Sequence, residues 1–138
     1  MAEPRPGLTE PNAQTGERWE AAQVWGHINE FIPYWIESIE ETIDNFAGQP
    51  IAFGRTSSDP QRLVGIEEGR QLPMDLHVHW LEQHLSDLRE FLSAIPEAAW
   101  SGKIGRHPTI GEMELKDMLE RFLVGHLEEH TDQLEGLE

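Results

Sequence analysis

The sequence predicts an all-α fold, an up-down helix bundle. Three observations carry that expectation. Apolar residues recur at three- and four-residue steps in three long stretches. No stretch alternates apolar and polar residues as a half-buried strand would. Histidines fall on the inward faces of the first and last of those stretches.

Residues 1–16 are rich in Pro, Gly, Thr, Asn and Gln and read as a mobile arm, leaving 17–138 as the helical domain. The helical period starts near Arg18. Val24, Ile28, Phe31, Ile32, Trp35, Ile39, Ile43 and Phe46 form its apolar side, with Glu30, Glu37, Glu41 and Asp44 opposite. Pro33 removes the hydrogen bond to the Asn29 carbonyl and predicts a kink. Residues 47–71 form an irregular connection punctuated by Gly48, Pro50, Gly54, Gly65 and Gly69. Within it, Ser58-Asp59-Pro60 predicts the cap and first turn of one short helix. A loop this long in a small domain is often functional, and here it is expected to cover a pocket mouth.

A second long helix is expected from about Pro73 to Ile95. Its heptad-like seam is Met74, His77, Leu81, His84, Leu88, Phe91 and Ile95. Pro96–Pro108 reads as a turn-rich connector. Thr109-Ile110-Gly111-Glu112 then has the form of a capping box that starts the last helix, which runs to about Leu137.

Composition narrows the partners. The chain has 138 residues, enough for one core, and carries 26 Asp+Glu against 10 Lys+Arg. No basic cluster interrupts that excess, which argues against nucleic acid and anionic membranes. There is no cysteine, so disulfides, thiolate ligands and a cysteine nucleophile are excluded. The first residues lack the apolar stretch of a signal peptide, and no apolar run approaches the ~18 residues of a membrane span. A cytoplasmic location is the expectation.

The chemistry concentrates in the histidines. His126 and His130 are four residues apart, one turn along the same helical face, and Leu119, Phe122, Leu123, Leu127 and Leu134 flank that side. Two imidazoles so placed can chelate one transition metal. His27 lies far upstream on an equally apolar face, so the pattern points to a three-histidine metal site with an open coordination position. His77 and His84 also face inward and could replace His27 as third ligand, whereas His79 lies off that seam. His107 is expected to organise the start of the last helix. Glu30 and Glu129 are candidates to orient the ligands, and Trp35 and Trp80 to wall a pocket. Arg55, Arg62 and Arg70 could bind an anionic thiol or a substrate carboxylate, although solvated or salt-bridged roles suit them too.

Three segments carry a family resemblance. They are Arg18-Trp19-Glu20-Ala21-Ala22-Gln23-Val24-Trp25-Gly26-His27, then His107-Pro108-Thr109-Ile110-Gly111-Glu112-Met113-Glu114-Leu115, then His126-x-x-x-His130 followed by Gln133-Leu134. Together they resemble the DinB/YfiT-like metalloenzyme superfamily of four-helix bundles, over about residues 17–137 with the 48–71 loop unmatched. The resemblance implies a metal, typically zinc or nickel, held by His27, His126 and His130. It also implies low-molecular-weight thiols such as mycothiol or bacillithiol, used in S-transferase or isomerase reactions. Family members usually carry an amphipathic helix before the Trp-to-His segment, and only about sixteen residues precede it here. The fourth helix must then come from the 58–68 region, or a dimer partner must fill the groove, and a homodimer is expected. The favoured chemistry is attack of a metal-activated thiolate on an electrophilic small molecule, with metal-dependent hydrolysis as the close variant. The alternative is a non-catalytic metal-binding or dimeric interaction bundle.

Overall fold

The computed structural model describes residues 19–135. The expected arm at 1–16 lies outside the described residues, as do both ends of the 17–138 domain. In chain order the elements are helix α1 (Ala21–Asn45), strand β1 (Ile51–Ala52), helix α2 (Pro60–Arg70) and helix α3 (Met74–Ser93). A 3₁₀ turn (Glu97–Trp100) leads to strands β2 (Lys103–His107) and β3 (Gly111–Glu114). The last helix has three parts: α4 (Leu115–Leu119), a π-helical turn (Glu120–Val124) and α5 (Gly125–Glu135).

Helix α1 is the central element. It starts where the Gln23 side chain accepts the Glu20 backbone N–H at 2.8 Å, satisfying one of the donors a helix start leaves open. It continues through Pro33, which is exposed, as one uninterrupted helix. Its apolar side, Val24, Ile28, Phe31, Ile32, Trp35 and Ile39, is buried. Each such side chain contributes roughly 1.5–3 kcal/mol on burial. The same core takes Ile66 from α2, Leu88 and Phe91 from α3, and Leu115, Met118, Leu119 and Leu123 from the last helix.

Helix α2 supplies the fourth helix, as the 58–68 segment suggested. Asp59 caps it, accepting the Gln61 and Arg62 N–H groups at 2.8 and 3.3 Å, with Pro60 in the first turn. It crosses α1 with backbone against backbone. A Cβ on Gly69 would stand 2.3 Å from Gly26 Cα, and one on Gly26 would stand 2.7 Å from Gly69 Cα. Only glycine on both helices permits that approach. One turn away, Gly65 leaves the space that the Glu30 side chain fills.

The chain is mostly helical, but the strictly all-α expectation needs correction. A three-stranded sheet in the order β1-β2-β3 lies beside the helices. β1 pairs parallel with β2, Ile51 opposite Gly105, and β2 pairs antiparallel with β3, His107 opposite Gly111. The supposed capping box is the hairpin turn. Thr109 lies between the strands, Gly111 has φ +92°, a left-handed value no helix accommodates, and Glu112 lies in β3. The helix therefore starts at Leu115, not at Ile110.

Candidate metal centre

His27 stands near the end of the second turn of α1, and His126 and His130 stand on successive turns of α5. The π turn immediately before α5 sets their direction. Gly125 N–H donates to the Glu120 carbonyl five residues back, so the turn absorbs one extra residue. The side chains that follow are thereby rotated by about one residue step, roughly 100°, relative to a continuous α-helix. A Cβ on Gly125 would lie 2.3 Å from the Glu120 carbonyl oxygen, so this turn needs glycine there.

The three imidazoles converge through the same ring atom. His126 Nε2 is 3.2 Å from His27 Nε2 and 3.3 Å from His130 Nε2. Two nitrogens each ~2.0–2.1 Å from a shared ion at the tetrahedral angle stand about 3.3–3.4 Å apart, so the spacing fits a common metal. Among the described residues these three form the group able to hold an ion, with ligand atoms within 4.8 Å of one another.

Proton accounting points the same way. His130 Nδ1 faces the Gln133 side-chain oxygen, an acceptor, so in the neutral ring the proton belongs on Nδ1 and the Nε2 lone pair faces inward. His126 Nδ1 faces the Glu129 carboxylate at 3.7 Å, which likewise favours a proton on Nδ1. The two inward Nε2 lone pairs then oppose each other, and a cation between them resolves the conflict. His27 Nδ1 is buried without a hydrogen-bond partner.

Aromatic rings enclose the trio. Trp19 meets His27 edge-on at 5.0 Å and stacks on His130 at 5.7 Å, while Phe31 packs against His126 at 4.5 Å. Burial holds the His27 imidazole well below its ordinary pKa, and the neighbouring His130 and His126 add to the effect. His126 is pushed down to about 3, first by burial, then by His130, Arg62 and Arg55. Both rings are therefore neutral at pH 7, the form that binds metal.

The centre opens onto a cleft of about 1120 Å³. His27 and His126 line it together with Arg55 and Arg62 from the long connection, and Trp35 and Phe122 form an apolar wall. Those two rings stack at 4.2 Å. The long connection thus borders the cleft through Arg55, Thr56, Ser57 and Arg62.

The remaining candidates fall elsewhere. His77 Nε2 lies 2.8 Å from the Gly69 carbonyl, and His84 Nδ1 lies 3.1 Å from the Asn29 side-chain oxygen, so both tie α3 to its neighbours. His79 and Trp80 are exposed. Glu30 does not reach His27; it pairs in a two-pronged contact with Arg55, one arm at 2.7 Å. Arg55 is buried and also lies 3.8 Å from the centre of the Tyr34 ring. Arg70 pairs at the surface with Glu20 and Glu67. His107 does not start the last helix. Its Nε2–H donates to the Arg55 carbonyl at 3.1 Å, and its Nδ1 accepts from the Thr109 and Ile110 N–H groups, so it fastens the hairpin to the Arg55 loop.

Two functional features escaped the sequence reading. The Gln133 contact was legible in principle, because His130-x-x-Gln133 places the two side chains one turn apart. The π turn has no comparable signal beyond Gly125. Set against known proteins, the chain matches no family model, no curated protein and no solved structure. Among the described residues, no helix is long and apolar enough to cross a membrane.

Proposed function

We propose that this protein is a metal-dependent enzyme of the DinB/YfiT-like kind, an up-down bundle that binds one zinc or nickel ion and uses a low-molecular-weight thiol to attack a small electrophile. The observation that carries this reading is the convergence of three Nε2 atoms, from His27, His126 and His130, at the wall of an open cleft. A structural ion has all four positions filled by protein, whereas three histidines leave one for a reactant. When bound, the ion supplies Lewis acidity and lowers the pKa of a thiol or water at that position. The chain has no cysteine, so the thiol must come from a cosubstrate.

The chain's own residues do the positioning. His130 is oriented by Gln133 and by the stacked Trp19 ring. His126 is steadied by Phe31 and faces Glu129. Trp35 and Phe122 offer the apolar surface on which an electrophile can lie. The cobalt(II)-loaded protein tests the thiol reading with N-acetylcysteamine as probe. A thiolate-to-cobalt charge-transfer band is expected on addition of the thiol. Stoichiometric cobalt with no such band would contradict the thiol chemistry while leaving the metal centre standing.

A further inference from the structure

We infer that Phe122 is a positioning residue for the histidine centre. Its ring, clamped between rings from three other parts of the chain, holds the π turn in the last helix and so aims His126 and His130 at His27. The consequence for metal rests on the metal-centre reading, whereas the clamp stands on geometry that needs no ion.

A π turn carries one residue more than an α-helix needs, and such turns are rare. Something outside the helix must hold that residue in place. The N-terminal side of this helix cannot take it up. Helix α4 follows β3 without a linker, and Leu115 and Met118 are fully buried. Shedding the extra residue therefore turns whatever lies in or beyond the π segment by about one residue step, roughly 100°.

Two residues inside that segment are anchored in different directions. Leu123 is fully buried in the core, while Phe122 beside it lines the cleft. The Phe122 ring stacks on Trp35 of α1 at 4.2 Å and 11°, and on His107 of β2 at 4.9 Å and 19°. It meets Phe53, just after β1, edge-on at 5.9 Å. Trp35, Phe53 and His107 are all buried, and His107 is fixed through both ring nitrogens, to the Arg55 carbonyl and the Thr109 N–H. The slot for the ring is thus built from elements that do not move with the last helix. Gly125 supplies the complementary half, because its missing side chain leaves the space that the Glu120 carbonyl occupies. Reversion to α-helix would break the bond from Gly125 N–H to Glu120, draw the Phe122 ring from its slot and swing His126 and His130 together. Leucine or methionine at 122 keeps much of the apolar volume and loses the flat faces that Trp35 and His107 stack on.

The test is NMR on the full-length, metal-free chain, reading the scalar coupling across the hydrogen bond from Gly125 N–H to the carbonyl it meets. Wild type is expected to show Glu120 as acceptor. In F122L and F122M the acceptor should become Arg121, the α-helical partner. F122Y, which keeps the ring, should retain Glu120. So should L88A, which opens the core in α3 and lowers Tm without touching the clamp. Zinc affinity, read by chelator competition, should fall about tenfold or more in F122L and F122M and stay within about threefold of wild type in F122Y and L88A. A Glu120 acceptor retained in whichever of F122L and F122M folds, or a zinc loss in L88A as large as theirs, overturns the clamp. Arg121 as acceptor in wild type overturns the turn on which it rests. An acceptor that moves to Arg121 with zinc affinity unchanged overturns the link from turn to histidines. A wild type that binds no zinc overturns the metal reading instead, and the coupling still decides the clamp.

Discussion

His27 Nε2 lies 3.2 Å from His126 Nε2, although ninety-nine residues of chain separate them. At that distance the two neutral imidazoles can share one proton as an N–H···N hydrogen bond or, with both lone pairs turned inward, share a cation. The contact also fixes the seating of α5 on α1, so any change in the helix carrying His126 is felt at the site.

The π turn is the most sensitive such element. In Gly125→Ala the new Cβ would meet the Glu120 carbonyl at 2.3 Å, and the turn must widen or revert to α-helix. Overpacking of this kind costs about 1–3 kcal/mol. Metal affinity is expected to fall at least tenfold while helical content by circular dichroism stays near wild type. Unchanged affinity in a folded variant would show that the turn does not set the direction of the histidines.

The α1–α2 crossing governs stability and only indirectly the site. Gly69→Ala places a Cβ 2.3 Å from Gly26 Cα and disturbs the carbonyl that binds His77. A loss of about 1–3 kcal/mol is expected, read as a lower Tm and an earlier urea midpoint. A Tm equal to wild type would mean that the helices separate at no cost and that the close approach is not structural.

Acid should weaken the metal-free fold. His27 and His126 are held below the ordinary histidine pKa chiefly by burial, and burial also lowers His77, His84 and His107. The unfolded chain takes up protons near pH 6.5, whereas folded His126 resists until about 3. Between those values the unfolded state binds more protons, so stability is full above pH 6.5 and is lost progressively as the pH falls. The acidic surface acts in the opposite direction as its repulsion is relieved, so the melts belong in high salt, which screens it. Tm of chelated protein should drop from pH 7.5 to pH 5, and the rise in Tm on adding metal should shrink over the same range. A flat Tm in high salt would contradict the neutral, buried state assigned to these rings.

The expected homodimer can be tested on helix α3. Of its twenty residues only His77, Leu88 and Phe91 are buried. Leu81, Leu85 and Leu92 are half-buried and Trp80 is 44 % exposed. Sedimentation at micromolar concentration and moderate salt should show a dimer, and Trp80→Glu should shift it towards monomer. A compact monomer in the wild type rules the dimer out.

Much of this architecture was legible where one local signal sufficed. The Asp59-Pro60 cap, the span of α3 and the pairing of His126 with His130 each rest on spacing within a single element, whereas His27 joins that pair from α1. The sheet was not legible, because β1 has two residues and finds its partner fifty-four positions away. β2 contains Gly105, where a Cβ would come within 2.7 Å of Phe53, so packing and not strand propensity selects its residue. Thr109 to Glu112 misled because residues that cap helices also make turns, and only the pairing of His107 with Gly111 decides between them. His77 and His84 faced inward as expected, but Gly69 and Asn29 take their ring nitrogens, and those partners are set by tertiary contact alone.

The central claim is that His27, His126 and His130 share one divalent ion. The most direct measurement is metal content after equilibration with zinc or nickel and gel filtration, on wild type and on His27→Ala, His126→Ala, His130→Ala and His84→Ala. One equivalent per chain is expected in wild type and in His84→Ala, with loss from each of the other three. One equivalent retained in all three ligand variants, or lost in His84→Ala but not in His27→Ala, would contradict the account.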